Sequence, residues 1–223
     1  MSKKISILHT SFVSVETLNA LCRELIPDAE VRNIIDDSLL PEVVANGGIT
    51  PGVVRRMRAY AQQAEDWGAD VILNQCSSVR EAALEAAKAV RIPIVPVDGA
   101  MAERAVSLGE RIAVVATVAS TMKPSVALVE EAARRAGKPV TVVPVLVDGA
   151  LTVLMQEKDQ AKHNRLVREA IERVVDSVDV IVLAQGSMVV LLDALGDIHK
   201  PVLTSPRLGI ERLRDVLYQP HSA

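Results

Sequence analysis

A succession of strand and helix signals that occurs twice along the chain limits its possible folds more than any other feature. The similar segments, which keep their order and an offset of about 110 residues, are 5–10 with 112–117, 70–77 with 179–187, and 93–95 with 201–203. The second predicted strand also ends at an acidic residue in each half, at Asp36 or Asp37 and at Asp148. Single similarities of this kind arise by chance, but an ordered set at a nearly constant offset indicates an internal duplication.

Short runs of β-branched residues alternate with amphipathic helical stretches, a pattern typical of βαβ units. The predicted strands are 4–10, 30–35, 70–74, 93–97, 111–116, 140–147, 179–184 and 201–204. The predicted helix boundaries include a start at Thr50-Pro51 with an end at Trp67-Gly68, a capping box at Ser78, a helix over 124–136 that stops at Gly137, and a last helix over 206–217.

These elements predict an α/β protein made of two duplicated Rossmann-like domains, each a four-stranded parallel sheet flanked by helices, related by a pseudo-twofold axis. The first domain is expected to span 1–98 plus 205–223, and the second 99–204. Ligands of open parallel sheets bind beyond the carboxyl ends of the strands. We therefore expect an active-site cleft between the two domains, lined by the loops that follow the strands.

The composition argues against nucleic-acid and membrane partners. A net charge of −3 provides no basic surface for phosphates. One Phe, two Tyr and one Trp leave few platforms on which bases could stack. No apolar run approaches the roughly 18 residues that a membrane span needs.

The remaining global features predict a cytoplasmic protein and argue against a dinucleotide cofactor and an obvious metal site. The N-terminal residues lead directly into an apolar strand without the pattern of a secretory signal. Two cysteines do not make a disulfide framework, so both thiols are expected to be reduced. Segment 9–11 lacks the glycine fingerprint of a dinucleotide-binding loop, and the four histidines are too scattered for an obvious metal site.

Cys76 is the principal candidate for chemistry. It follows a predicted buried strand and precedes the helix start at Ser78, where free N–H groups and the helix dipole would stabilise a thiolate. Such a thiol can act as a nucleophile or as a base toward carbon acids. The alternative is a small buried apolar residue, the usual environment of a free cysteine. Cys22 lies in the helical pattern 17–22 and is expected to be a core residue.

Small hydroxyl and amide side chains are concentrated at the predicted strand ends. With the free N–H groups of helix starts they suit a carboxylate or a phosphate, although each alone is as readily a cap or turn residue. They are Thr10, Ser11, Asn74, Ser77, Ser78, Thr117, Ser120, Thr121 and Ser187. His9 ends the first strand and is a candidate acid/base partner. Asp37, like Asp36, either faces the ligand or caps the next segment.

The duplicated halves, segment 74–78 (Asn-Gln-Cys-Ser-Ser) and segment 116–121 (Ala-Thr-Val-Ala-Ser-Thr) resemble the aspartate/glutamate racemase superfamily, which includes hydantoin racemases, maleate isomerases and arylmalonate decarboxylases. The resemblance covers nearly the whole chain. It implies a small-molecule carboxylate as substrate, no cofactor, and a homo-oligomer. Cys76 matches the first of the family's two cysteines. The hydroxyl groups that match the carboxylate-binding region are those of Ser77, Ser78, Ser120 and Thr121.

The chain departs from this pattern at the second cysteine. The matching position is Gly186, between Gln185 and Ser187. Racemisation by two bases removes a proton on one face of the carbon and delivers one on the other, and glycine does neither. The sequence therefore predicts carbon-acid chemistry with a single cysteine, as isomerisation, racemisation with His9 as the second acid, or decarboxylation followed by protonation on one face. The alternative is a non-catalytic protein that binds or senses carboxylates.

Overall fold

A computed structural model describes residues 2–218. The strands are β1 (Lys3–His9), β2 (Ala29–Ile35), β3 (Val71–Asn74), β4 (Ile94–Pro96), β5 (Arg111–Ala116), β6 (Thr141–Leu146), β7 (Val180–Leu183) and β8 (Val202–Thr204). The helices are α1 (Val15–Leu25), α2 (Leu39–Asn46), α3 (Pro51–Asp66), α4 (Arg80–Ala87), α5 (Gly99–Leu108), α6 (Ala119–Ala136), α7 (Ala150–Thr152), α8 (Gln160–Glu172) and α9 (Ser205–Tyr218).

The chain divides into two units, each with its own sheet. The first unit holds the residues up to Val97 together with those from Pro206 onward, and the second holds Asp98–Ser205. The strand order is β2-β1-β3-β4 in the first sheet and β6-β5-β7-β8 in the second, and all pairs are parallel. The predicted α/β class, with two four-stranded parallel sheets flanked by helices, is confirmed.

The first sheet is covered on both faces because alternate residues of a strand point to opposite sides. Ile5 and Ile7 pack in a core with residues of α1 and α9, and Leu8 packs in a second core with residues of α2, α3 and α4. Helix α3 begins where the sequence places it, since the Thr50 side chain accepts a hydrogen bond from the Val53 N–H. No described helix is long and apolar enough to cross a membrane.

Two predicted helix starts are displaced. Helix α6 begins at Ala119 rather than at Pro124, although a proline in this position removes one helical hydrogen bond. Pro124 lies in the second turn of the helix, so one hydrogen bond is lost while the rest of the helix continues to Ala136. The segment predicted to open a helix at Ser78 forms a 3-10 turn over Ser77–Val79, and α4 follows from Arg80.

Candidate functional site

Cys76 lies at the carboxyl edge of the first sheet, two residues after the end of β3. Its own backbone is extended, and the chain then turns into the 3-10 turn Ser77–Val79. This change of direction brings the N–H groups of Ser78 and Val79 to the sulphur atom, where both form hydrogen bonds with it. The side chain is partly exposed. The turn therefore presents a thiol together with its own set of donors.

Burial raises the pKa of the Cys76 thiol above its ordinary value, against the opposing effect of hydrogen bonds from the Thr10 side chain, from the backbone and side chain of Ser78, and from the Val79 backbone. The position before a helix start predicts a pKa below the ordinary value for Cys76, and this prediction is wrong. A short turn with neutral donors stabilises the thiolate less than the loss of water destabilises it. At neutral pH the thiol is therefore mainly protonated.

Thr10 and Asn74 flank Cys76 from the two central strands. Thr10 directly follows β1, Asn74 is the last residue of β3, and both are buried. The Thr10 side chain forms a hydrogen bond with the Cys76 thiol, and Asn74 Nδ2 donates to the Cys76 carbonyl oxygen at 3.1 Å. The predicted neighbours Ser77 and Ser78 are also buried. Two of the predicted side chains, those of Thr10 and Ser78, thus contact the thiol, and Asn74 contacts the backbone of the same residue.

His9 lies on the other face of the first sheet. It is 1% exposed, and its Nε2 lies 2.9 Å from Asn33 Oδ1, whose amide group in turn donates to Asn19 of α1. Burial lowers the pKa of His9, with the Asn33 hydrogen bond acting in the opposite direction. A neutral imidazole held against α1 is not directed toward Cys76, which packs with the core on the α3 side.

The two aspartates after β2 have different environments. Although burial acts to raise the pKa of Asp36, hydrogen bonds from Ser38 and Tyr60 and the charge of Arg56 hold it below its ordinary value. Its carboxylate thereby links the end of β2 to α3. Asp37 is exposed. Asp36 is therefore part of a structural network, and Asp37, the predicted site residue, faces solvent.

The corresponding edge of the second unit is arranged differently. Gln185 Oε1 accepts from the Thr117 N–H at 3.1 Å, and Gln185 Nε2 donates to Thr117 Oγ1 at 3.2 Å. Gly186 begins a 3-10 segment, and the side chain of Ser187 is exposed. Ser120 and Thr121 lie in the first turn of α6. The threonine after the first strand is thus bound to the loop glutamine here, whereas Thr10 is bound to the thiol.

The burial of one histidine in α8 and the exposure of two apolar residues after β1 were not anticipated from the sequence. His163, which lies in a charged helix, is 4% exposed, with its Nδ1 close to Gln160 and Asn164. Its spacing from Val167 and Ile171, at four and eight residues, is the signal that places it on the buried face. In the first unit, Ser11 is partly buried. Phe12 and Val13, which follow it, are 67% and 69% exposed. Within residues 2–218, no group of three or more His, Cys, Asp or Glu side chains is placed to hold a metal ion.

Comparison with known proteins identifies relatives of this architecture. A family model described as Asp/Glu/Hydantoin racemase matches residues 7–213. The structure of glutamate racemase from Francisella tularensis in complex with D-glutamate is similar over 97% of this chain and 81% of its own, with a TM-score of 0.73 and 13% identity. Aspartate racemase from Picrophilus torridus is similar over 96% and 94%, with a TM-score of 0.70 and 15% identity.

Allantoin racemase from Klebsiella pneumoniae is similar over 96% of this chain and 87% of its own, with a TM-score of 0.68 and 19% identity. At such low identities, these structures show a common fold only. No curated protein sequence matches the chain significantly. The resemblance inferred from the duplicated halves and the loop segments is confirmed by the family match.

Proposed function

The chain belongs to the Asp/Glu/hydantoin racemase family, and we propose that Cys76 alone transfers the proton at the carbon next to a substrate carboxylate. Membership of this family supports a racemase- or isomerase-type enzyme. The observation that carries the proposal is the set of donors around the sulphur atom, from Thr10, Ser78 and Val79. A core cysteine needs no such donors, whereas a thiolate that forms during a reaction is stabilised by each of them.

A proton passes from the substrate carbon to Cys76, and Cys76 then returns a proton to the same carbon. The Cys76 thiolate takes the proton from the carbon and becomes a thiol, while the electron pair left on carbon is delocalised into the carboxylate as an enediolate. The thiol then returns a proton to the same carbon, and between these steps it exchanges its own proton with water. A thiol with a raised pKa is the stronger base once ionised, which favours removal of a weakly acidic C–H proton. The hydrogen bonds limit the free energy needed to ionise it.

Retention of configuration is expected in this exchange. The family resemblance matches the second base to Gly186, and the residue that directly precedes the 3-10 segment of the second unit, as Cys76 does in the first, is Gln185. Neither glycine nor a carboxamide transfers a proton. The proposal does not involve His9, which is buried against Asn33 on the other face of the sheet. The substrate is a small carboxylate, and no cofactor is required. Homo-oligomeric assembly and a cytoplasmic location, both expected from the sequence, remain predictions.

The test is deuterium incorporation followed by proton NMR, with the protein in heavy water and a panel of amino acids, hydroxy acids, 2-substituted malonates and hydantoins. Exchange next to a carboxylate that is lost in Cys76→Ala and kept in Cys22→Ala is the expected result. Cys22 is the matched control, a thiol of the same unit that is only 1% exposed.

Three other results would contradict parts of the proposal. Exchange that survives in Cys76→Ala would remove the thiol from the mechanism. Loss of optical purity during exchange would show that another group supplies a second proton. The absence of exchange and of decarboxylation across the panel would favour a protein that binds carboxylates without catalysis.

A further inference from the structure

Two carboxamide oxygens next to Cys76 are enclosed without a hydrogen-bond donor. Asn74 is 2% exposed, and its Oδ1 is buried and has no partner. Gln75 Oε1 is also buried and without a partner. The amide nitrogens of both residues are already used, since Asn74 Nδ2 donates to the Cys76 carbonyl at 3.1 Å and Gln75 Nε2 donates to Ser14 Oγ at 3.2 Å. Asn74 pairs with Leu8, which packs in the same core as Cys76, so the open oxygen of Asn74 lies on the face of the sheet that carries the thiol.

The orientation of the Asn74 amide is fixed by this contact. If the amide were turned over, its oxygen would face the Cys76 carbonyl oxygen at 3.1 Å, and two acceptors would oppose each other. The unpaired atom of Asn74 is therefore the oxygen. Buried polar atoms are paired in the great majority of cases, and each exception requires an explanation.

The second unit shows that the fold itself does not require these open acceptors. Gln185 directly precedes the 3-10 segment of the second unit, as Cys76 precedes the 3-10 turn of the first, and its Oε1 accepts a hydrogen bond from the Thr117 N–H. The residue that corresponds to Asn74 is Leu183, because each ends its strand and pairs with the equivalent residue of the neighbouring strand, and Leu183 has no polar side chain. The same strand end and turn are thus built without an unpaired amide oxygen where no cysteine is present. The open acceptors occur together with the thiol.

We infer that Asn74 is a specificity-determining residue whose Oδ1 accepts a hydrogen bond from the substrate. This inference rests on the proposed function for the location of the substrate at Cys76. A substrate that fits carries an N–H or O–H donor on or beside the carbon that reacts. A substrate without such a donor leaves Asn74 Oδ1 unpaired. Sites built to bind a polar group discriminate strongly against analogues that lack this group.

The test uses ligands of one skeleton that differ in a single group, namely aspartate, malate and 2-methylsuccinate. Dissociation constants are measured from the protection of Cys76 against iodoacetamide, in a Cys22→Ala background so that one thiol is followed. We expect the amino or the hydroxy ligand to bind at least about tenfold more tightly than the methyl ligand, as expected for one buried hydrogen bond. Comparison of aspartate with malate separates N–H from O–H recognition.

Variants assign the preference to Asn74. Asn74→Leu removes the acceptor at similar size and should bring the preference close to one. Asn74→Asp keeps an oxygen there and should shift the preference toward the ammonium ligand, which provides a second test if the leucine variant does not fold. Asn33→Leu is the matched control, because Asn33 belongs to the same unit but contacts His9 on the other face of the sheet. Its preference should equal that of the unmodified protein.

The inference is overturned by equal protection from donor and methyl ligands, by the absence of protection from all three, or by a preference that survives in Asn74→Leu. Its failure is separable from that of the proposed function, which is measured by exchange. If ligands with a donor protect Cys76 better but no Cys76-dependent exchange is found, the role of Asn74 is retained and the catalytic role of Cys76 is rejected. Exchange without donor preference would do the reverse.

Discussion

Replacement of Thr10 by valine tests the donors around Cys76 directly. Thr10 is 4% exposed, and valine keeps its shape while removing the hydroxyl group that forms a hydrogen bond with the thiol. A hydrogen bond to a charged group contributes about 1.5–3 kcal/mol. Its loss should therefore raise the pKa of Cys76 further, and each 1.4 kcal/mol corresponds to about a tenfold change in the thiolate fraction. At a fixed pH below that pKa, the thiolate fraction falls about 10- to 100-fold.

The rate of alkylation falls less than the thiolate fraction, because a more basic thiolate is also more nucleophilic. With a Brønsted coefficient of about 0.4–0.5, a net decrease of about 3- to 16-fold is expected. The assay is the dependence on pH of the iodoacetamide rate at Cys76, in a Cys22→Ala background. Its midpoint should lie above the ordinary value of 9.0 before the substitution and higher still after it.

Thr117→Val is the matched control, because Thr117 follows the first strand of the second unit and is bound to Gln185. It should leave the midpoint unchanged. An unchanged midpoint in Thr10→Val, or the same shift in both variants, would refute the assignment of Thr10 as a donor to the thiolate. A midpoint below 9.0 in the unmodified protein would refute the stronger effect of burial.

Two further predictions concern stability. Burial raises the pKa of Cys22 to about 11, with Arg23 acting in the opposite direction. The contribution of the protonated thiol to folding stability is therefore present below pH 9 and is lost as the pH rises through 11. Between pH 8 and pH 11, the free energy of unfolding measured with urea should decrease by up to about 2–3 kcal/mol more in the unmodified protein than in Cys22→Ala. Equal decreases in the two proteins would contradict this. Gly209→Ala would place a Cβ atom against the Val97 carbonyl oxygen, closer than van der Waals contact allows, whereas Gly48→Ala meets no atom within 4 Å. The first should lower the free energy of unfolding by about 1–3 kcal/mol relative to the second, and a gain in stability from alanine within α9 would show that the close packing is absent.

The fold could be predicted from the sequence because its signals are local. Each strand is a short apolar run between turn residues, and helix ends such as Gly68 and Gly137 are marked by the left-handed backbone that glycine adopts readily. The duplication repeats these signals and confirms their order. The prediction of a helix start at Pro124 failed, because a proline near the beginning of a helix removes one hydrogen bond and does not have to end it.

By itself, the sequence determined the α/β class, the family resemblance, and the position of Cys76 after a buried strand, since these depend on periodicity and on residue order. Only the tertiary structure decided the state of the thiol, because its pKa reflects how much water the surrounding chain removes and which distant donors reach it. It also decided that His9 faces α1. Finally, it decided that Gln185 is bound to Thr117 while an amide oxygen of Gln75 stays unpaired. Hydrogen-bond pairing depends on three-dimensional proximity, which two similar segments of sequence do not specify.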